Sequence, residues 1–307
     1  FVKNFEMQLL LYLFFYPILW LISILPFRLL YILSDGIFFL VYRVIKYRKR
    51  VVRANIAMAL PHLSAKERQE IEKKFYSHMC DMFLEMIKTM SISRKEIEKR
   101  FKFTNLDEYL ALEKKNKSIA LLCAHYASYE WVVSMNYYTT YKGYGIYKRI
   151  ANKHFDKLVH KIRSKFKAHL ITTKETISTI EENQRNGVLG LYGFASDQSP
   201  KYSNKAHWGT FMGIETPIHV GAELLAKRLD MTVVFLKTKK VKRGYYEATI
   251  ELMTEDAKSI PNFEISEAFM KKVEQQIYEA PEYYLWTHKR WKHKKIKNVS
   301  TQTKTSQ

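Results

Sequence analysis

His125 and Glu130 stand five residues apart in HYASYE, directly after the apolar run IALLCA at 119–124. Imidazole is the side chain whose ordinary pKa lets it take and give a proton near neutrality. A carboxylate bonded to one ring nitrogen fixes the tautomer and supports positive charge on the ring. The other nitrogen is then free to take a proton from a hydroxyl. The pair therefore nominates His125 as a general base and Glu130 as the carboxylate that orients it. The spacing alone does not decide this, because a histidine with its hydrogen bonds satisfied in the core fits it at least as well.

The elements around the pair must place it. The run 119–124 follows the polar Lys114–Lys117 and reads as a buried strand, whose carboxyl end is where α/β proteins put their chemistry. If a helix starts just after His125, Glu130 falls in its first turns and reaches back. Cys123 precedes His125 by two, so strand alternation gives both the same side. A covalent thioester on Cys123 and a small buried thiol are both open readings. The other histidines have no ligand-like spacing, and His288-x4-His293 has no carboxylate beside it, so no metal is expected.

The rest of the chain alternates strands and helices. Ser64-Ala-Lys-Glu67 is a capping box that opens a helix to about Met90, and Ser93-Arg-Lys-Glu96 starts a shorter one. Helices are expected at 129–141, 153–167, 174–185, 217–229 (with Pro217 in its first turn) and 264–279. Strands are expected at 144–149, 188–195, 232–240 and 244–252, the last two joined around Arg243-Gly244. The pattern predicts an α/β fold with a mainly parallel sheet flanked by helices.

At the N-terminus, residues 9–25 carry no charge across 17 positions, the short end of a membrane-crossing helix, and a second apolar stretch follows Pro26-Phe27-Arg28. Trp20, Tyr12, Tyr16 and Tyr31 suit a membrane interface. One spanning helix, or a re-entrant or monotopic hairpin bent at Pro17 and Pro26, fits this segment. Residues 43–53 then hold six basic and no acidic residues, and 289–304 hold seven and none, so these two stretches supply most of the net charge of +21. A basic cluster beside an apolar anchor belongs on the cytoplasmic side against anionic lipid. With 47% apolar residues among 307 the chain has ample core, and two cysteines exclude a disulfide scaffold. The charge with 18 Phe and 21 Tyr superficially suits nucleic acid, but no zinc finger, helix-turn-helix or glycine-rich RNA motif is present. A non-catalytic membrane scaffold is a further alternative.

H-x4-E at 125–130 resembles the signature of the glycerolipid and lipid A acyltransferases. The chain looks like the lysophospholipid acyltransferase-like lipid A biosynthesis acyltransferases of bacteria, which add secondary acyl chains. The resemblance runs through the N-terminal anchor, RANIAMALP (53–61), YKRIANKHFDKLVHKIR (147–163), Asp197-Gln198, Phe211-Met212-Gly213 with Thr216-Pro217, and YLWTHKRWK (284–292). It departs where the family often has His-Phe-Gly-Asn-Trp-Glu and this chain has His125-Tyr-Ala-Ser-Tyr-Glu130.

The resemblance implies a glycerolipid-acyltransferase-like domain that moves a fatty acyl chain from a thioester to a lipid hydroxyl. The expected acceptor is a lipid A precursor, with a lysophospholipid, aminolipid or glycolipid as runner-up. The donor is expected on acyl carrier protein, or on coenzyme A, as a co-substrate without any cofactor. Arg149, Asn152 and Arg163 are expected to bind substrate, the arginines through phosphate, against a solvated basic helix face as the plain reading. Arg163 or backbone N–H groups near 210–213 would face the oxyanion. Asp197 would orient Arg163 or a lipid hydroxyl, or cap a turn; Gln198 is similar. Phe211 and Gly213 would shape an acyl pocket or form an ordinary turn. Arg290 would pair with phosphate or belong to the basic tail. The expected organisation is an anchor at 1–45, a basic and helical segment at 46–115, an acyltransferase domain at 116–295 and a tail at 296–307. The expected partners are the carrier protein, anionic membrane lipids and the lipid acceptor, not nucleic acid, at the cytoplasmic face of the bacterial inner membrane.

Overall fold

The computed structural model describes residues 2–201, 203 and 206–295, so the tail expected at 296–307 lies outside the described residues. In chain order its elements are α1 (Val2–Ile24), α2 (Phe27–Phe39), α3 (Lys49–Ala59), α4 (Ala65–Lys88), α5 (Arg94–Arg100), β1 (Phe101–Phe103), α6 (Leu106–Glu113), β2 (Ile119–Cys123), β3 (Lys142–Tyr147), α7 (Lys153–Ser164), β4 (His169–Thr172), α8 (Thr176–Arg185), β5 (Gly190–Ala195), β6 (Trp208–Phe211), β7 (Ile214–Pro217), α9 (Gly221–Arg228), β8 (Thr232–Lys242), β9 (Tyr245–Thr254) and α10 (Glu264–Glu279).

Seven strands form one mixed sheet in the order β1-β9-β8-β2-β5-β3-β4. All neighbours are parallel except β8 and β9, which pair antiparallel around Arg243-Gly244. The apolar composition of β2 follows from its place, with strands on both edges and four of its five residues buried. The capping box at the start of α4 is formed: the Glu67 N–H donates to Ser64 Oγ at 3.3 Å and the Ser64 N–H to Glu67 Oε2 at 2.7 Å.

Three local expectations change. Residues 129–137 form a 3-10 helix rather than an α-helix. Pro217 ends strand β7 instead of opening a helix, because 208–217 folds into a hairpin and the helix starts only at Gly221. The hairpin turn is Met212-Gly213, both at positive φ (54° and 73°), the geometry a two-residue turn between twisted strands requires. At the N-terminus α1 runs unbroken through Pro17, and the chain turns only at Leu25-Pro26. A six-residue π-helix (Leu40–Ile45) continues α2.

Candidate active site

His125 stands two residues beyond the end of β2, and Asp197 two residues beyond the end of β5. These strands are parallel neighbours with Cys123 opposite Ala195, so the register carries His125 to a place opposite Asp197. Nδ1 of His125 lies 2.7 Å from Asp197 Oδ1, and the His125 backbone N–H donates to the same oxygen at 3.1 Å. Asp197 is 1% exposed, while the His125 side chain keeps 21%. Nε2 of His125 has no hydrogen-bond partner among the described residues. The ring lines a narrow apolar cleft with Phe75, Met79, Met82, Tyr129 and Tyr284.

The electrostatics follow from this pairing. Burial, the largest influence, pulls the His125 pKa down; the charge and hydrogen bond of Asp197, with help from Glu130, more than offset it, and the net shift is upward. Burial pushes Asp197 up, but the imidazole and backbone hydrogen bonds outweigh it and its pKa falls. The two shifts in opposite directions describe a carboxylate held ionised against a ring that accepts positive charge readily.

Glu130 does not orient His125. It makes a fork-to-fork pair with Arg163 of α7: Nε donates to Oε2 at 2.9 Å and Nη2 to Oε1 at 2.6 Å. The cause is local. Ala127 sits at φ 49°, its N–H donates to Tyr283 O, and the following 3-10 helix turns Glu130 towards α7. The Tyr129 ring meets the His125 ring edge-on at 5.0 Å. Arg163 is the group nearest in role to a cation beside the base, and its charge acts on His125 against that of Glu130.

The remaining candidates divide. Asn152 caps α7, its side chain accepting from the N–H groups of His154 and Phe155 at 3.0 and 3.3 Å. Arg149 is exposed, 4.0 Å from Asp156. Gln198 is half-buried beside Asp197. Gly213 is the hairpin-turn residue, and Phe211 is fully buried, stacked on Trp291 at 5.7 Å. Neither lines the cleft at His125. The Met212 N–H is taken by Glu274, so this one donor of the 210–213 stretch is already engaged. Arg290 is 1% exposed; it donates through Nη1 to Thr216 Oγ1 and Pro217 O, while Nε and Nη2 find no hydrogen-bond partner among the described residues. It braces the hairpin from inside rather than joining a basic tail.

Other residues close the site that spacing did not single out. The segment after α10 folds back beside His125: Tyr284 bridges to Tyr126, and the Leu285 N–H donates to His125 O at 3.1 Å. His288 accepts the Ser199 N–H at Nε2, and burial, with His125, Arg290 and Lys292 nearby, pushes its pKa down to about 4. Asn55 of α3 is buried and donates to Trp286 O at 2.8 Å and His288 O at 2.7 Å. Arg48 adds a bond to Thr287 O. The RANIAMALP and YLWTHKRWK blocks thus meet in space across more than 230 residues. The available signal for this contact was a polar asparagine among the apolar residues of RANIAMALP.

Comparison with known proteins gives the family. Residues 3–293 match the family model described as bacterial lipid A biosynthesis acyltransferase. The chain is 23% identical over 276 residues to the lipid A biosynthesis lauroyltransferase of Escherichia coli, covering 90% of this chain and 89% of that protein. It is 22% identical over 289 residues to the lipid A biosynthesis palmitoleoyltransferase of the same organism, and equally to a lipid A biosynthesis acyltransferase of Shigella flexneri, with 90% and 89% covered in each case. A match across nearly the whole sequence shows that this chain belongs to the bacterial lipid A biosynthesis acyltransferase family and is an O-acyltransferase.

Proposed function

We propose that the protein moves a fatty acyl chain from an acyl thioester to a hydroxyl of a lipid A precursor at a membrane surface, with His125 as general base. The observation that carries this reading is the His125–Asp197 pair. With Asp197 ionised, Nδ1 carries the ring proton and Nε2 presents its lone pair to the cleft. Nε2 takes the proton of the acceptor hydroxyl as its oxygen attacks the thioester carbonyl. The tetrahedral oxyanion collapses, the carbon–sulfur bond breaks, and the Nε2 proton passes to the departing thiolate. The ester forms and the ring returns neutral, so His125 is both base and acid in one turnover.

Asp197 stabilises the imidazolium between these steps. Arg163, aimed by Glu130, supplies positive charge beside the base where the oxyanion develops. Phe75, Met79 and Met82 form an apolar wall beside His125 around a space of about 10 Å³, so these side chains must part to admit an acyl chain. The donor is an acyl carrier protein. Its acidity suits the exposed basic side chains of the 43–53 cluster, Arg43, Lys46, Arg48 and Arg50. The N-terminal apolar helix and the exposed Arg43, Lys46 and Arg50 support placement on the cytoplasmic face of the inner membrane.

Mass spectrometry of lipid A from a deletion strain tests the whole reading. The expected result is lipid A one acyl chain short, restored by the intact gene and not by His125→Ala. Unchanged lipid A would overturn the acceptor, and full restoration by His125→Ala would overturn the base.

A further inference from the structure

The stretch Glu6–Ile24 of α1 is long and apolar enough to cross a bilayer, and only 6% of its core window is buried. What it touches bears on whether it does so. A single stripe at four-residue spacing, Gln8, Tyr12, Tyr16 and Trp20, lies along α7. Asn152 Nδ2 donates to Gln8 O at 3.4 Å, the Tyr12 ring sits 5.5 Å from His154 and 5.8 Å from Phe155, and Tyr16 and Trp20 line a groove of about 440 Å³ with Leu158, Lys161, Ile162 and Lys165. The two helices therefore run side by side in the same direction over about 18 Å of helix rise. At its far end α1 is clamped as well: Lys88 Nζ donates to Ser23 O and Leu25 O, each at 2.7 Å, and Ser91 donates to Ser23 O.

α7 is a poor companion for a spanning helix. Lys153, Lys157 and Lys161 are exposed along it at four-residue spacing, and Lys165 follows, the last two at the rim of the groove against α1. If α1 crossed the bilayer with α7 attached, these ammonium groups would be stepped through the hydrocarbon, at roughly 3 kcal/mol each near the midplane. α1 is apolar on every exposed side, Leu13, Phe15 and Ile24 included, so the polar side of the pair comes from α7: laid flat, the pair puts Met7, Leu10, Leu11, Phe14, Ile18 and Leu21 into the acyl region and the lysines among headgroups.

We infer that α1 does not cross the membrane but lies in the plane of one leaflet together with α7, which binds that leaflet's anionic lipid. The inference rests on the membrane-bound reading above and adds its geometry: a monotopic protein whose His125 cleft stays on the leaflet it docks to.

Vesicles of defined orientation, prepared from cells expressing the full chain, test this. Glu6→Cys and Lys174→Cys are labelled separately with a membrane-impermeant maleimide; burial, with the neighbouring Asp81 or Asp197 carboxylate, holds the native Cys80 and Cys123 at about 12, so they react slowly. The expected result is labelling of both positions from the same side. A second variant pair, Tyr12→Cys with Phe155→Cys, should cross-link in those membranes and shift electrophoretic mobility. Replacing Lys157 and Lys161 by Glu should lower partition onto vesicles rich in phosphatidylglycerol by on the order of 100-fold and leave neutral vesicles little changed. Labelling from opposite sides, or no cross-link in sedimenting protein, overturns the in-plane placement and leaves the membrane reading standing. Protein that remains in the supernatant overturns both.

Discussion

Nδ1 of His125 and Oδ1 of Asp197 meet at 2.7 Å although 72 residues separate them in sequence. The same carboxylate oxygen accepts the His125 backbone N–H, so one buried group fixes both the ring and its strand end. The base must be neutral to act, and its pKa is raised, so activity should rise with pH through a midpoint above about 6.5. Asp197→Asn removes the main influence that raises it while burial remains. The midpoint should move to lower pH, and kcat should fall on the order of 100- to 10,000-fold because the tautomer is no longer held. A variant with an unmoved midpoint would show that the pairing does not control the base.

Stability has its own signature from the same pair. The raised value of His125 contributes stability below about 6.5 that is lost as pH rises through the folded value. The lowered value of Asp197 contributes above about 3.9 and is lost as pH falls through its folded value. Thermal melts of the intact protein across pH 3 to 9 should therefore lose, in Asp197→Asn, stability chiefly in the window between about 4 and 6.5.

Glu130 acts through Arg163, and its variant should behave differently. Glu130→Gln breaks a bidentate pair but leaves the Asp197 contact intact. A loss in kcat of about tenfold to a hundredfold is expected, with a smaller shift of the pH midpoint than Asp197→Asn gives. The double variant Glu130→Gln with Arg163→Lys should lose little more than either alone, since both substitutions remove one unit. Fully additive losses would separate the two residues.

Cys123 is expected to behave as a spectator thiol. Its Sγ is directed to Phe194 O of β5, and burial with the Asp197 charge pushes its pKa up to about 12. Cys123→Ala should keep kcat within a few-fold and cost on the order of 1 kcal/mol of stability. Mass spectrometry after incubation with acyl donor should find no acyl group on this residue; an adduct that turns over would replace the one-step transfer.

The position of His125 was legible because an apolar run, a polar approach and a histidine at its end describe a buried parallel strand and its carboxyl edge. The identity of its carboxylate partner was not, because it depends on which strands are neighbours. Once β2 and β5 pair with Cys123 against Ala195, His125 faces Asp197 without further assumption. Glu130 looked closer only along the chain, and the positive φ at Ala127 sends it elsewhere. Pro217 misled for a related reason: its fixed φ suits both a helix start and a strand end, and the Met212-Gly213 turn decides between them. The charge clusters at 43–53 and after 289 were visible as separate features. Arg48 in the first cluster and Asn55 just after it hold Thr287 and Trp286, shortly before the second, over distances that no periodicity records.

Asn55 tests that contact directly. Its amide holds two carbonyls of the terminal segment, which in turn donates from Leu285 to His125 O and places Tyr284 against the base. Asn55→Ala leaves both carbonyls short of a donor in a buried setting, at a cost of about 1–3 kcal/mol each before relaxation. The melting temperature should fall, and protease should cut first within 284–292. Activity should fall further than stability alone accounts for at temperatures where the variant is folded, because the wall of the cleft is loosened. Asn55→Asp keeps the shape but offers acceptors to acceptors, so it should be worse than Ala. If Asn55→Asp matched the parent in melting and turnover, the terminal segment would be held by other contacts, and the spatial meeting of the two sequence blocks would carry no functional weight.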